Sequence, residues 1–425
     1  MSLFSLLNNR TIWCYLLLTM LLIVRDVLMI GVPDVAIVGL IGICMLLLPY
    51  RKAVPFLFFT FPLTCGIPGY TMLVAFIILL LKGPRLNGYQ LFPLLMLVLL
   101  ELLSDLTYKS DSATFMAVTS FLSFSALLFY FMNSYNDRFE IHDCITSYIL
   151  GTLLCLSIIA YVMLSQWNLE TILSGAVRSG ALGAIENEIS NQQGHLAANA
   201  NTLAYFALSS ISCIVCYWNR ININKVMLTI IGALTLFLGF FSVSRTYLMC
   251  LGLLFVLYIF ITDRSGRLKY LFLMLLMALF VVVVFPDILD TMTSGFETRS
   301  EEGNFQTAGG RTILFSQYQE RWLANPTAIF IGAGAICHAE VLGMKEYMHN
   351  ALQQIWVCLG SVGFLLYLVL FFRYLKRYFS KSKMVYYLPF FITFLFDQSI
   401  QFLNPYYLML PLIPTLLICR TKENC

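Results

Sequence analysis

An all-α polytopic membrane protein of about twelve to fourteen helices is the fold class this sequence predicts. Three observations lead there. Of 425 residues, 60% are hydrophobic and only 11% charged, with a mean hydropathy of +0.82, far from the composition of a water-soluble protein. The apolar residues gather into runs of spanning length separated by short polar or basic breaks. The positive charges are divided unevenly among those breaks. At about 20 residues a span, roughly fourteen spans take up ~280 positions and leave ~145 for loops and tails.

The first run, 12–30, follows MSLFSLLNNR and resembles a signal peptide, but no small-residue cleavage site follows, so it is expected to remain as the first span. Further spans are expected near 33–50, 53–65, 68–81, 88–104, 113–132 and 144–164, then 198–218, 226–243, 246–262, 269–286, 350–372, 384–399 and 405–419. The pair 53–65 and 68–81 is short and carries Pro55, Pro62, Gly66, Pro68 and Gly69. It reads either as two crossings or as a re-entrant or tilted hairpin, and the later orientation is the same in both cases. From Val226 to Thr262 the chain is almost wholly apolar for 37 residues, too long for one crossing, so a turn is expected at Ser242-Val243-Ser244-Arg245.

With the N-terminus placed inside, eighteen of the 26 Lys and Arg fall on the inner side. Eight stay outside, against the positive-inside bias: Arg25, Lys109, Arg178, Arg245, Arg299, Arg311, Arg321 and Lys345. The split predicts both termini on the cytoplasmic side. Two outer connections are long, 165–197 and 287–349, and the whole of 1–425 reads as a single integral membrane domain around them. In the larger loop, GGRTILFSQYQERWLANP places Leu314, Tyr318 and Trp322 four residues apart, with Ser316, Gln319 and Glu320 opposite. This predicts an amphipathic helix lying on the bilayer and ending at Asn325-Pro326.

The residues able to carry chemistry concentrate on that outer side. An arginine costs about 2.5–3.5 kcal/mol at the bilayer centre and much less at the interface or facing an anion, so Arg245 is either a snorkelling interfacial charge or an anion ligand. Arg311 follows Gly309-Gly310, which lets backbone approach a bulky ligand, and otherwise reads as a solvated loop charge. Arg178 lies in VRSGALG, ahead of Asn199-Ala200-Asn201-Thr202. Asn201 and its neighbour either cap the next helix or offer sugar hydroxyls a donor and an acceptor on one side chain. His349 stands at the start of the twelfth span in YMHNALQQIW. A helix N-terminus and outer arginines disfavour its charged form, which suits a general base, the bland alternative being an interfacial helix-start residue.

Other chemistries lack a pattern. Cys14, Cys44, Cys155, Cys213, Cys216, Cys250 and Cys358 sit within apolar runs and read as packing residues. The outer carboxylates, including Glu301, Glu302, Asp105 and Asp290, are scattered without a DxD or HExxH, so no metal is expected, and no cofactor. There is no phosphate loop for ATP and no basic soluble surface for nucleic acid.

Ser242-Val243-Ser244-Arg245-Thr246, Gly309-Gly310-Arg311, Asn325-Pro326 with Gly332-Ala333-Gly334, and His349-Asn350-Ala351-Leu352-Gln353 come in this order on the outer side. With Arg178-Ser179-Gly180 and Asn199-Ala200-Asn201-Thr202 before them, they resemble the bacterial O-antigen polymerase and O-antigen ligase superfamily, in motifs over 178–372 and in topology throughout. The resemblance implies a metal-independent, inverting glycosyltransferase of the inner membrane whose site faces the periplasm. Its donor would be an undecaprenyl-diphosphate-linked oligosaccharide. Arg178, Arg245 and Arg311 would hold the donor diphosphate, Asn201 and Asn350 would contact substrate, and His349, with Arg311, would carry catalysis by activating or positioning the acceptor hydroxyl.

The residues agree chemically with that expectation. Negative charge develops on the diphosphate as the C1–O bond breaks, and forked guanidinium donors stabilise it. In a polymerase the acceptor is another lipid-linked repeat unit, with a chain-length regulator protein as a candidate partner; in a ligase it is the lipid A core. The fourteen-span count favours the polymerase. A lipid-linked oligosaccharide flippase is the alternative from another class, and it calls for charges near midplane and broken helices in corresponding halves.

Overall fold

A computed structural model describes residues 10–64, 68–83, 88–109, 127, 130, 141–173, 200–218, 221, 223–242, 245–261, 311–334, 337–344 and 350–378. Among them there is no strand, and the fold is all-helical. The helices are α1 (Arg10–Leu22), α2 (Asp34–Leu47), α3 (Tyr50–Leu63), α4 (Pro68–Lys82), α5 (Gly88–Tyr108), α6 (Ile141–Gln166) and α7 (Leu169–Leu173). They continue with α8 (Ala200–Tyr217), α9 (Lys225–Phe240), α10 (Arg245–Ile261), α11 (Arg311–Leu323), α12 (Pro326–Ile331), α13 (His338–Val341) and α14 (Ala351–Tyr378). Ten of the expected spans coincide with helices; those at 113–132, 269–286, 384–399 and 405–419 lie essentially outside the described residues. Among the described residues two helical segments are long and apolar enough to cross a membrane, Ile141–Gln166 and Leu352–Val369.

The packing centre of the first half is α3, in which every residue from Ala53 to Leu63 is buried. Its 14 residues reach about 21 Å, less than the hydrocarbon thickness. A helix interrupted by Pro55 and Pro62 is tolerable where protein rather than lipid surrounds it, because neighbouring elements take up the disturbed backbone. On one side α6 presses against it so closely that a Cβ at Gly151 would lie 2.2 Å from the Phe59 carbonyl oxygen. Only glycine permits that approach. On the other side α1 lays Tyr15 over Phe56 and Phe59, with ring centroids 5.2 and 4.8 Å away, and its hydroxyl meets Ser147 Oγ of α6 at 2.9 Å.

Beyond α1 the chain takes a π-helical turn, Ile23–Val27, that turns Arg25 inward. The guanidinium, 3% exposed, grips both carboxylate oxygens of Asp26 at 2.8 and 2.9 Å, with Asp34 at 3.7 Å. One of the eight cations expected on the outer side is thereby neutralised within the protein. Of the cysteines expected to pack inside spans, Cys14, Cys44, Cys155, Cys213, Cys250 and Cys358 are buried; the side chain of Cys216 lies outside the described residues.

α8, α9 and α10 extend this bundle from α6. The apolar run turns where expected, α9 ending at Phe240 and α10 starting at Arg245. The reversal is tight because Tyr247 folds back over Gly239, its hydroxyl donating to the Leu236 carbonyl at 2.9 Å and its ring standing edge-on to Phe240.

A second group joins α5, α11, α12, α13 and α14. Its organising feature is a break inside α14, where Gly360 adopts φ 64° and ψ −178°. The break interrupts the helical ladder beside Val357 and Cys358, whose carbonyls accept instead from the backbone N–H groups of Ala333, at 2.8 Å, and Gly334, at 3.1 Å. The docking segment is Gly332-Ala333-Gly334, just past the end of α12. A Cβ on Gly332, which has φ 90°, would fall 2.0 Å from the Cys358 carbonyl oxygen. Gly332→Ala is therefore expected to destabilise this junction by about 2 kcal/mol or more, from left-handed strain plus overlap. A lower melting temperature of the detergent-solubilised protein checks it.

The amphipathic stretch forms the expected helix, α11, and Asn325 caps the next one through Ala328 N at 3.2 Å, with Pro326 in its first turn. Its apolar stripe, however, faces protein rather than the bilayer surface. Tyr318 is fully buried and stacks on His338, and Trp322 is edge-on to Trp356 of α14. Two large aromatics on a four-residue spacing supply as much apolar area to a neighbouring helix as to lipid, so periodicity alone does not choose between them.

Candidate functional site

The site is built where α11 meets α14. Asn350 stands immediately before α14, and its Oδ1 accepts from Gln353 N at 2.9 Å, the N-cap arrangement that satisfies an otherwise orphaned helix donor. Gln353 in turn reaches out of the helix, donating from Nε2 to the Phe315 carbonyl of α11 at 2.8 Å. Phe315 lies one turn beyond Arg311, and Gln353 one turn beyond His349. This bond brings together two segments 38 residues apart that the sequence marks as Gly309-Gly310-Arg311 and His349-Asn350-Ala351-Leu352-Gln353.

Arg311 and Arg245 share a position: each is the first residue of its helix, α11 and α10. A cation at the first position opposes the helix macrodipole; the side chains of Arg245 and Arg311 lie outside the described residues. Asn201 is the second residue of α8. Because α8, α9 and α10 run as successive hairpins, the starts of α8 and α10 share one end of their group. Among the described residues no extensive helix contact joins that end to α14. Arg178 and His349 lie outside the described residues.

Arg321, another cation expected on the outer side, is committed elsewhere. Its guanidinium donates to the Leu342 carbonyl at 2.8 Å and to that of Gly343, tying α11 to the loop after α13. Trp322 Nε1 bonds the Ala328 carbonyl at 3.0 Å, fixing the α11–α12 corner.

The sequence places Asp105 among scattered outer carboxylates, yet the structure sets it in a polar stripe with Glu101. On α5, Glu101, Ser104, Asp105 and Tyr108 recur at helical spacing and turn inward, while Leu102, Leu103 and Leu106 are exposed. Ser104 Oγ donates to the Gly332 carbonyl at 3.3 Å, and the Cys337 thiol donates to Asp105 Oδ1 at 3.4 Å. Asp105 lies just past the apolar span at 88–104. Burial pushes its carboxyl above the usual carboxylate range, with the Cys337 hydrogen bond acting the other way. The signal was present in the i, i+3, i+4, i+7 spacing, which places four polar side chains on one face of an otherwise apolar helix.

Chemically, the α5–α14 junction offers carboxylate and amide groups in a setting of indole and phenol rings. Such a mixture recognises polyhydroxylated groups, since carboxylates accept from hydroxyls, amides both donate and accept, and aromatic faces cover sugar C–H surfaces. Among the described residues no three His, Cys, Asp or Glu side chains converge on a point that would hold a metal ion. No family model, curated protein or solved structure matches the chain.

Proposed function

We propose that this chain is a multi-pass glycosyltransferase of a bacterial inner membrane, a surface-polysaccharide polymerase of the O-antigen type acting on the periplasmic side. About twelve to fourteen spans, with both termini cytoplasmic, follow from its apolar runs and charge split. The observation that carries the reading is the bond from Gln353 to the Phe315 carbonyl, which ties the helix opened by Arg311 to the one that follows His349. Arg311, Arg245 and Arg178 would stabilise the diphosphate as it leaves. His349 would draw the proton from, or orient, an acceptor hydroxyl that attacks C1 from the opposite face, inverting the anomeric centre. The donor is already activated as a diphosphate, so the reaction as proposed draws on neither ATP nor a metal.

A second reading, a lipid-linked oligosaccharide flippase, is favoured by one observation: the break of α14 at Gly360, since discontinuous helices line transport sites. Reconstitution in vesicles with undecaprenyl-diphosphate-linked repeat units separates the two. The enzyme is expected to lengthen the glycan and release undecaprenyl diphosphate, whereas a flippase changes only the leaflet that holds it. Within the enzyme reading, deletion that leaves one repeat unit on the lipid A core identifies a polymerase. Polymer stranded on the lipid carrier identifies a ligase.

A further inference from the structure

Gln354 is the least explained polar side chain near the start of α14. It is 1% exposed, and neither its amide oxygen nor its amide nitrogen has a hydrogen-bond partner among the described residues. Leaving a buried amide unmatched is costly, so native proteins match such groups with protein, water or ligand. Gln353 beside it answers differently, spending its nitrogen on the Phe315 carbonyl.

The surroundings of Gln354 identify the chemistry. It shares a face of α14 with Cys358, one turn further on. The Cys358 carbonyl accepts from Gly334 N, Gly332 of the same segment accepts from Ser104 of α5, and Cys337 holds the next residue of α5, Asp105, through its thiol. A thiol is a weak donor and leaves most of a carboxylate's accepting capacity for stronger ones. An amide able to donate and accept thus lies on the α5–α14 junction that also holds the Asp105 carboxylate. Neighbouring hydroxyls on a sugar ring need this complement.

Resting on the glycan-transfer reading above, we infer that Gln354, with Asp105 of α5, forms the subsite that recognises hydroxyls of the acceptor sugar. The diphosphate end of the donor belongs with the arginines. The polar stripe carries no cation and is suited to the neutral, hydroxyl-rich partner. Gln354 is then a specificity-determining residue: it selects which sugar presents its hydroxyl at the helix start.

The test uses Gln354→Leu in the full chain, because the two roles of a buried amide move stability and binding differently. The probe is the repeat-unit oligosaccharide cleaved from the lipid-linked glycan that accumulates in the deletion strain; its binding to the purified protein is followed by calorimetry. Melting of the protein is measured in parallel. The subsite predicts a melting temperature equal to or above wild type, since an unmatched amide has been replaced by an apolar group, together with about tenfold or greater loss of binding. Unchanged binding overturns it, as does a melting temperature well below wild type, which would mean that the amide serves the fold. Asp105→Asn, nearly isosteric, is expected to weaken binding without lowering the melting temperature, and full binding by this variant also counts against the subsite. Absence of glycan transfer by the wild-type protein with lipid-linked repeat units defeats the glycosyltransferase reading itself. Transfer by wild type with undiminished binding by Gln354→Leu defeats only the subsite.

Discussion

Replacing His349 with Ala is expected to reduce glycan transfer by about 10²–10⁴-fold, the range typical of a positioned acid or base, while the protein stays folded and inserted. The neighbouring residue supplies the control. Asn350 caps α14 through Gln353 N, so Asn350→Ala is expected to cost about 1 kcal/mol of stability by uncapping the helix. A loss of that size lowers the melting temperature. His349→Ala is expected to leave it in place. Wild-type polymer from His349→Ala, in a cell lacking the native enzyme, would remove the residue from the chemistry.

The second large effect concerns the arginines that open helices. In both Arg245→Lys and Arg311→Lys the charge remains but the fork of parallel donors is gone, so a diphosphate oxygen pair is no longer held bidentately. Each variant is expected to lose tenfold or more in kcat/KM for the lipid-linked donor, approaching the ~10²–10³ typical of a lost donor to a developing oxyanion. The loss should appear mainly in kcat where the guanidinium binds the leaving group more tightly as its charge develops. Kinetics on purified protein in vesicles provide the measurement. Full activity of both variants would reduce the two arginines to surface charges. Arg321→Lys provides a contrast. Its guanidinium is committed to the Leu342 and Gly343 carbonyls, so its replacement should act through the stability of the α11 corner instead.

Helix placement was largely legible because apolar run length is a direct consequence of hydrocarbon thickness, which is why α6 and α14 fall on the runs at 144–164 and 350–372. The turn before Arg245 was legible for the same reason: no single crossing uses 37 apolar residues. The break at Gly360 was not. Leu359-Gly360-Ser361-Val362-Gly363 reads as continuous apolar helix, and only the arrival of Gly332-Ala333-Gly334, 28 residues upstream of Gly360, gives the freed carbonyls their partners. Composition carries no information about such a non-local backbone match. The same limit hid the role of Arg25. Its charge counted as an outer anomaly until Asp26 and Asp34 were found around it. In the candidate site, motif residues stood out through spacing, whereas Gln354 did not, because what distinguishes it is burial without partners.

The docking of residues 332–334 into α14 also bears on how the chain is made. Ribosomes emit the docking segment before the helix it completes, so in a chain inserted as proposed the patch waits on the outer surface while α14 enters the bilayer. Carbonyls of Val357 and Cys358 without partners in hydrocarbon would cost several kcal/mol each. Insertion of α14 and its capture by the earlier segment are therefore one event. Truncating the nascent chain just after residue 378 should yield a protease-protected helix, whereas the same truncation with 332–334 deleted should leave that helix stalled or degraded.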